Sequence, residues 1–317
     1  MNNQKHLVLL VNLGSPNKLT FGGVRKFLKK FLSDKRVINL PKLLWYPILY
    51  GVILSVRAKK LVAKYRVIWL QDNSPLIHYT HLQAAQLGSM LDPSKYTVAA
   101  TFSYAKPYLT DILKQSVGYN SLTVIPLYPQ YSSTTTAAVF DEIFRYYKSV
   151  KYIPQLHFIN GFYSNPSYIE AVANKITKSW AEFGRGDVLV FSYHSLPVSL
   201  IRDGDSYHDE CLATTKLLVE KLKLADSQYK IAFQSRFGVN KWLAPAMTDT
   251  VALLAKNGIK KIDVVCPGFV CDCLETLEEI AIMNKEVFMH NGGEVYNYIE
   301  CLNDDIQFTK LLHSLVD

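Results

Sequence analysis

The chain has 317 residues, 49% apolar, 20% charged and 12% aromatic, which excludes disordered, collagen-like and membrane-embedded classes and allows about two domains. Thirty-five Lys and Arg against 27 Asp and Glu leave +8 at pH 7, an excess compatible with a membrane surface, a nucleic acid or an anionic small molecule. The five cysteines (Cys211, Cys266, Cys271, Cys273, Cys301) are odd in number and unneeded as staples in a chain this long, so they read as thiols of a reducing cytosol.

The start, MNNQKHLVLLVNLG, lacks a small-residue cleavage pattern and reads as a first strand rather than an export signal. Residues 7–13 form an apolar run ending at Gly14-Ser15-Pro16, as expected of a central parallel strand that feeds a turn. Further strands are predicted at 96–103, 121–128, 155–160, 187–193, 230–234, 261–265 and 294–299. Helical patterns lie between them at 23–32, 134–150, 166–181, 208–223, 245–257, 275–288 and 303–315. Strands alternating with helices predict an α/β fold with doubly wound parallel sheets, and the length fits two of them. The strand QLHFIN gives way to GFYSNPSY, which puts a domain boundary near 160–165. Phe-Ser-Tyr recurs in TFSYAKP (101–107) and VFSYHSLP (190–197), compatible either with two similar halves or with chance.

Residues 43–56 (LLWYPILYGVILSV) carry no charge but are too few to span a bilayer, which takes about 20 residues. With Pro47 and Gly51 interrupting it and Lys42, Arg57, Lys59 and Lys60 flanking it, the segment is either ordinary core or an exposed apolar lip resting on an anionic membrane.

No G-x-G-x-x-G loop, P-loop or G-x-S-x-G elbow occurs, so dehydrogenase, ATPase and serine hydrolase readings lose their basis. There is no strong basic block or zinc-finger pattern to support nucleic-acid binding. His194 follows the strand DVLVFSY, where doubly wound sheets present side chains to a ligand crevice. A neutral imidazole there can bind a divalent metal or accept a proton, although a lone histidine is as readily structural. In VVCPGFVCDCLETLEEI, Asp272, Glu275 and Glu279 are spaced i, i+3, i+7, a spacing that puts them on one helical face with Glu278 close by. Such a ladder can relay protons or pass a cation; it can also be a solvated acidic first turn. The C-x-C of Cys271 and Cys273 with Cys266 five residues upstream is not the spacing of a zinc or ferredoxin site. Arg236 in QSRFG, Trp242, and Tyr128 and Tyr131 in PLYPQYSSTTT join Leu13, Phe102 and Tyr104 as candidate walls and rims of a pocket for a flat aromatic ligand.

NLGSP, PLYPQYSSTTT, FSYHSLP, FQSRFGVNKWLAP and CPGFVCDCLETLEEI together run from one end of the chain to the other, and in this order they resemble the ferrochelatases, in their short Gram-negative bacterial form. The resemblance implies insertion of Fe²⁺ into protoporphyrin IX to give protohaem with release of two protons, the last step of haem biosynthesis. It implies two similar doubly wound, Rossmann-like domains: 1–162 bearing the 43–56 lip, 163–302, and a helix 303–317 returning to the first. By the same resemblance His194 and Glu275 are the catalytic pair and the metal-contacting groups, and Asp272 and Glu279 line a proton or metal path. Leu13, Arg57, Ser74, Tyr104, Tyr128 and Trp242 contact substrate, with Arg57 and Ser74 on the propionate rim. This chain departs from common patterns at Leu13, where many relatives have methionine, at Phe102-Ser103, where Met-Arg is common, and at Cys273, where some have histidine. The family also implies iron as substrate rather than resident cofactor and no iron–sulfur cluster, since the chain ends at Asp317 without the cysteine-bearing extension that holds one. The expected location is the cytoplasm, with peripheral contact to the inner membrane through 43–56.

Overall fold

A computed structural model describes residues 5–236 and 241–316. The chain divides into two compact units, Met1–Gly161 with Thr309–Asp317, and Phe162–Phe308. The first therefore ends at 161 and regains the chain only from Thr309, while 303–308 stay with the second.

The first unit is built on four parallel strands, β1 (His6–Asn12), β2 (Tyr96–Phe102), β3 (Ser121–Pro126) and β4 (Gln155–Phe158), in the order β2-β1-β3-β4. Val8, Leu9, Leu10 and Val11 are wholly buried, because β1 is central and its side chains are covered on both faces. The second unit repeats the order with β5 (Val188–His194), β6 (Tyr229–Gln234), β7 (Lys261–Val265) and β8 (Val295–Ile299), arranged β6-β5-β7-β8 and again all parallel. In each sheet the order reverses direction at the first strand, so the carboxyl ends of β1 and β3, and of β5 and β7, flank the positions where such sheets hold ligands.

The Phe-Ser-Tyr echo does not mark this repetition: Phe102 ends the edge strand β2, whereas Phe191 lies inside the central strand β5. The matching positions are Phe102 and Phe233. Phe102 N–H donates to Pro107 O and Phe233 N–H to Pro245 O, each as its strand leaves the sheet toward the helices Leu109–Gln115 and Met247–Lys256.

The 43–56 segment is helical. Lys42–Ile48 is an α-helix, Leu49–Arg57 widens into π-helix, and Ala58–Ile68 returns to α. Pro47 breaks nothing at this place; its missing N–H lies just ahead of the wider turns, where i→i+5 bonding takes over. Trp45, Leu49, Ile53 and Leu54 turn inward, and Trp45 Nε1 donates to Leu32 O at 2.7 Å. Leu43, Leu44, Ile48, Val52 and Val56 face outward, Leu43 being 88% exposed. The segment is thus both core and apolar surface. Among the described residues no helix is long and apolar enough to cross a membrane.

Candidate active site

His194 is the last residue of β5 and pairs in register with Gln234, the last residue of β6. Its Nδ1 lies 2.7 Å from the carbonyl oxygen of Ser195. A carbonyl only accepts, so Nδ1 carries the hydrogen and Nε2 keeps its lone pair for a proton or a metal. The chain just past His194 is held by a second segment: Val198 N–H donates to Lys241 O, Leu243 N–H to Leu196 O, and Pro197 bridges Trp242. Trp242 is thereby fixed beside the histidine loop, with its indole Nε1–H buried and unpartnered. Arg236 donates to Leu243 O and reaches Asp249 at 4.0 Å, so it braces this loop. Phe237 and Gly238 of the QSRFG motif lie outside the described residues.

Gln234 and Ser235 tie the histidine strand to the acids. The Gln234 amide accepts from Ser192 Oγ at 2.7 Å and donates through Nε2 to the backbone oxygen of Glu275 at 2.8 Å. Ser235 N–H donates to Glu279 Oε1 at 2.7 Å, and Ser235 Oγ donates to Glu279 Oε2. Burial pushes the Glu279 carboxyl above its ordinary range; the two Ser235 hydrogen bonds and His194 pull it back, and Glu275 pushes it up. Glu279 therefore feels the charge of both His194 and Glu275.

The acids are not the expected ladder. Helix begins only at Leu274, and Glu275–Asn284 is π-helix, leaving Asp272 in the loop before it. At roughly 80° per residue in an i→i+5 coil, Glu275 and Glu279 stay within about 40° of one another while Glu278 turns about 120° away. Asp272 is buried and fully engaged. Its Oδ1 accepts from Tyr298 OH at 2.5 Å and Thr276 Oγ1 at 2.9 Å, its Oδ2 from Asn303 Nδ2 at 2.7 Å, and its N–H donates to Asn303 Oδ1 at 2.8 Å. Cys273 is also buried, and burial first, then the Glu275 carboxylate hydrogen-bonded to it, push its thiol well up. All five cysteines are buried free thiols. Among the described residues no three His, Cys, Asp or Glu side chains are grouped to hold a metal ion.

The remaining expected residues belong to the first unit. Leu13, just past β1, is half-buried and its carbonyl accepts from Tyr104 N–H. Tyr104 is buried, tilted against Phe31 with ring centroids 5.1 Å apart, and its hydroxyl donates to Asp34 Oδ2 at 2.9 Å. Burial and the Asp34 charge hold that hydroxyl protonated, its pKa well above the ordinary tyrosine range. Tyr128 packs on the core beneath β3. Ser74 is 1% exposed: it caps the helix Pro75–Met90 by accepting from Ile77 N–H and shares a hydrogen bond with Ser15 Oγ. A hydroxyl so enclosed is not a rim group. Arg57 closes the π-helical stretch, half-buried and engaged. Ser103 is buried with its Oγ unpartnered.

Sequence reasoning did not single out Gln234, Ser235, Asn303, Thr276, Tyr298 or Asp34. Gln234 and Ser235 lay in QSRFG and Thr276 in CPGFVCDCLETLEEI, motifs already under scrutiny; Asn303, Tyr298 and Asp34 lay in none.

Two parallel sheets of like strand order, each covered by helices, give the chain an α/β fold that resembles that of the chelatases. In fold the chain is similar to SirB from Bacillus subtilis with Fe³⁺ (12% identity, 99% of this chain and 94% of that one, TM-score 0.58). It is also similar to CbiX, the terminal enzyme for siroheme biosynthesis in denitrifying bacteria (10% identity, 99% and 98%, TM-score 0.52). Sequence narrows this class. The ferrochelatase family model matches residues 5–317. The ferrochelatase of Vibrio cholerae is 42% identical over 319 residues, covering 100% of this chain and 99% of that one. Those of Vibrio atlanticus and Edwardsiella ictaluri are each 44% identical, over 317 and 315 residues, covering 99% of this chain and 98% of theirs. The chain belongs to the ferrochelatase family.

Proposed function

We propose that the protein acts as a ferrochelatase, inserting Fe²⁺ into protoporphyrin IX with release of the two pyrrole N–H protons, so that a dianionic ring and a dication give neutral protohaem. Beyond family membership, the observation that carries the reading is His194: Nδ1 is committed to Ser195 O, which leaves Nε2 as the acceptor, within electrostatic reach of Glu279. In this reading Nε2 accepts a pyrrole proton as a general base, and the nearby carboxylates stabilise the imidazolium that results. Glu275 meets the incoming iron, and Glu279 is a fixed negative charge behind it. Asp272 is assigned to holding the loop ahead of the acids rather than to a proton or metal path, since three protein donors converge on its buried carboxylate. Iron is substrate here, not a resident cofactor.

Leu13, Tyr128 and Trp242 are assigned to porphyrin contact. Arg57 is assigned to a propionate carboxylate. Ser74 and Tyr104 act indirectly, by holding the helix Pro75–Met90 and the Asp34 carboxylate. The two repeated strand orders are read as doubly wound, Rossmann-like sheets.

The outward apolar face of 43–56 is assigned to the cytoplasmic surface of the inner membrane. Between Lys18 and Arg66 the sequence has thirteen Lys and Arg and one acid, Asp34, so the apolar face lies in the most basic stretch of the chain and suits anionic lipid.

The test is anaerobic incubation with protoporphyrin IX and Fe²⁺, following loss of porphyrin fluorescence, for the wild type and His194→Ala. Turnover in the wild type, reduced at least about a hundredfold in the variant with porphyrin affinity retained, is the expected result. Equal rates in both refute the role of His194.

A further inference from the structure

Ser235 has φ = +65°, a left-handed backbone that residues with a Cβ rarely adopt. Glycine adopts it freely, yet the chain places a serine there, and that serine makes two bonds to one side chain. Its N–H donates to Glu279 Oε1 at 2.7 Å and its Oγ donates to Glu279 Oε2. Two donors from a single residue, one on each oxygen, fix the plane of the carboxylate as well as its position. The left-handed turn is what brings the N–H and the hydroxyl to the same side. The preceding residue, Gln234, pairs with His194 across the β5–β6 ladder and holds the Glu275 carbonyl at 2.8 Å. The end of β6 therefore sets where the π-helical acids sit relative to the histidine, with Gln234 on the Glu275 backbone and Ser235 on the Glu279 carboxylate.

We propose that Ser235 is a positioning residue for metal insertion, acting through Glu279 by clamping both carboxylate oxygens in a fixed orientation toward His194. The inference rests on the ferrochelatase reading. Ser235 touches no reacting atom; it determines where a charge stands.

The experiment is a double-mutant cycle on the full-length protein, with kcat and the KM values for porphyrin and Fe²⁺ measured anaerobically for the wild type, Ser235→Gly, Glu279→Gln and the pair. Glycine suits the left-handed backbone and keeps the N–H, so Ser235→Gly removes the hydroxyl without strain; Ser235→Ala removes the same group and serves if the glycine variant does not fold. The expected result is a fall in kcat of about tenfold for Ser235→Gly, the range typical of lost outer-layer hydrogen bonds, with porphyrin KM unchanged. Placed on Glu279→Gln, the same change should cost less than about twofold more, because the group it positions is already altered. A hydroxyl needed only for the turn would leave Ser235→Gly fully active, and an independent role would give the same tenfold loss in both backgrounds; either result overturns the proposal. A wild-type protein without turnover overturns the ferrochelatase reading and this inference with it, whereas an active wild type with an unaffected Ser235→Gly overturns this inference alone.

Discussion

Replacing Asp272 separates a structural carboxylate from a working one. The side chain is 4% exposed and serves three donors, Tyr298 OH, Thr276 Oγ1 and Asn303 Nδ2. In Asp272→Ala two of these have weaker partners at hand: Tyr298 OH can turn to Cys301 Sγ at 3.6 Å and Thr276 Oγ1 to Cys273 O at 3.2 Å. Asn303 Nδ2 loses its carboxylate partner, and its amide cannot flip without giving up the N–H of residue 272 that its Oδ1 accepts. Three hydrogen bonds to one buried carboxylate, lost or weakened, cost about 3 kcal/mol. Asp272→Asn is milder, because its oxygen can face Asn303 Nδ2 while its NH₂ faces the two hydroxyls, which accept as well as donate; exchanging charged for neutral bonds costs about 1 kcal/mol. For a unit of this size the melting temperature should fall by roughly 6–12 °C for alanine and 2–4 °C for asparagine. Scanning calorimetry of the second unit's transition reads both. Asp272→Asn should also keep turnover at 25 °C within about threefold of wild type, since the proposed reaction does not use this negative charge. A variant with native melting temperature and a hundredfold loss of kcat would refute this reasoning and return Asp272 to the chemistry.

Glu142, on the helix Thr136–Tyr147, is held above its ordinary carboxyl pKa chiefly by burial. A raised carboxyl pKa destabilises the fold once the unfolded chain ionises, so Glu142→Gln should stabilise above pH 4.5 by an amount that grows until the native group is also ionised and vanishes at lower pH; a constant or reversed difference in melting temperature between pH 4 and 8 contradicts this. Ser74→Ala should cost about 1–2 kcal/mol through loss of the helix cap while leaving porphyrin KM unchanged, and a raised KM at native stability would restore Ser74 to the rim. Triple replacement of Leu43, Leu44 and Val52 by serine should weaken flotation with anionic-lipid vesicles at least about tenfold without changing the circular dichroism, and wild-type binding should fall with added salt; unaltered flotation removes the membrane assignment.

All eight strands were legible, because strands buried on both faces leave continuous apolar runs such as LVLLVNL in the sequence. The helix Pro75–Met90 was missed although Ser74-Pro75 is a clear start signal, and the one across 42–68 because Pro47 and Gly51 read as breaks that a π-helical stretch absorbs. At the site, the strand-end place of His194 was readable from its position alone. The ladder of Asp272, Glu275 and Glu279 was misread because α periodicity was assumed across a loop and a π-helix. Nothing in a serine announces φ = +65°, so the Ser235 clamp had no local signature. The internal repeat was equally hidden. Its matching bonds join Phe102 to Pro107 but Phe233 to Pro245, intervals of different length that no self-comparison at fixed spacing would detect.

The π-helical run Glu275–Asn284 has a further consequence for how this family can vary. A π stretch holds more residues in each turn than α, so it is an α-helix into which chain has been inserted without lengthening the loop around it. Removing one residue between Thr276 and Glu279 and tightening the coil to α would leave the two glutamates about 60° apart, against about 40° now, because the narrower turn takes up the missing residue. A deletion in an ordinary α-helix turns everything beyond it by about 100°; a π stretch has a residue to spare. A homologue one residue shorter between its two glutamates would therefore keep both acids on one face by building this stretch as α-helix.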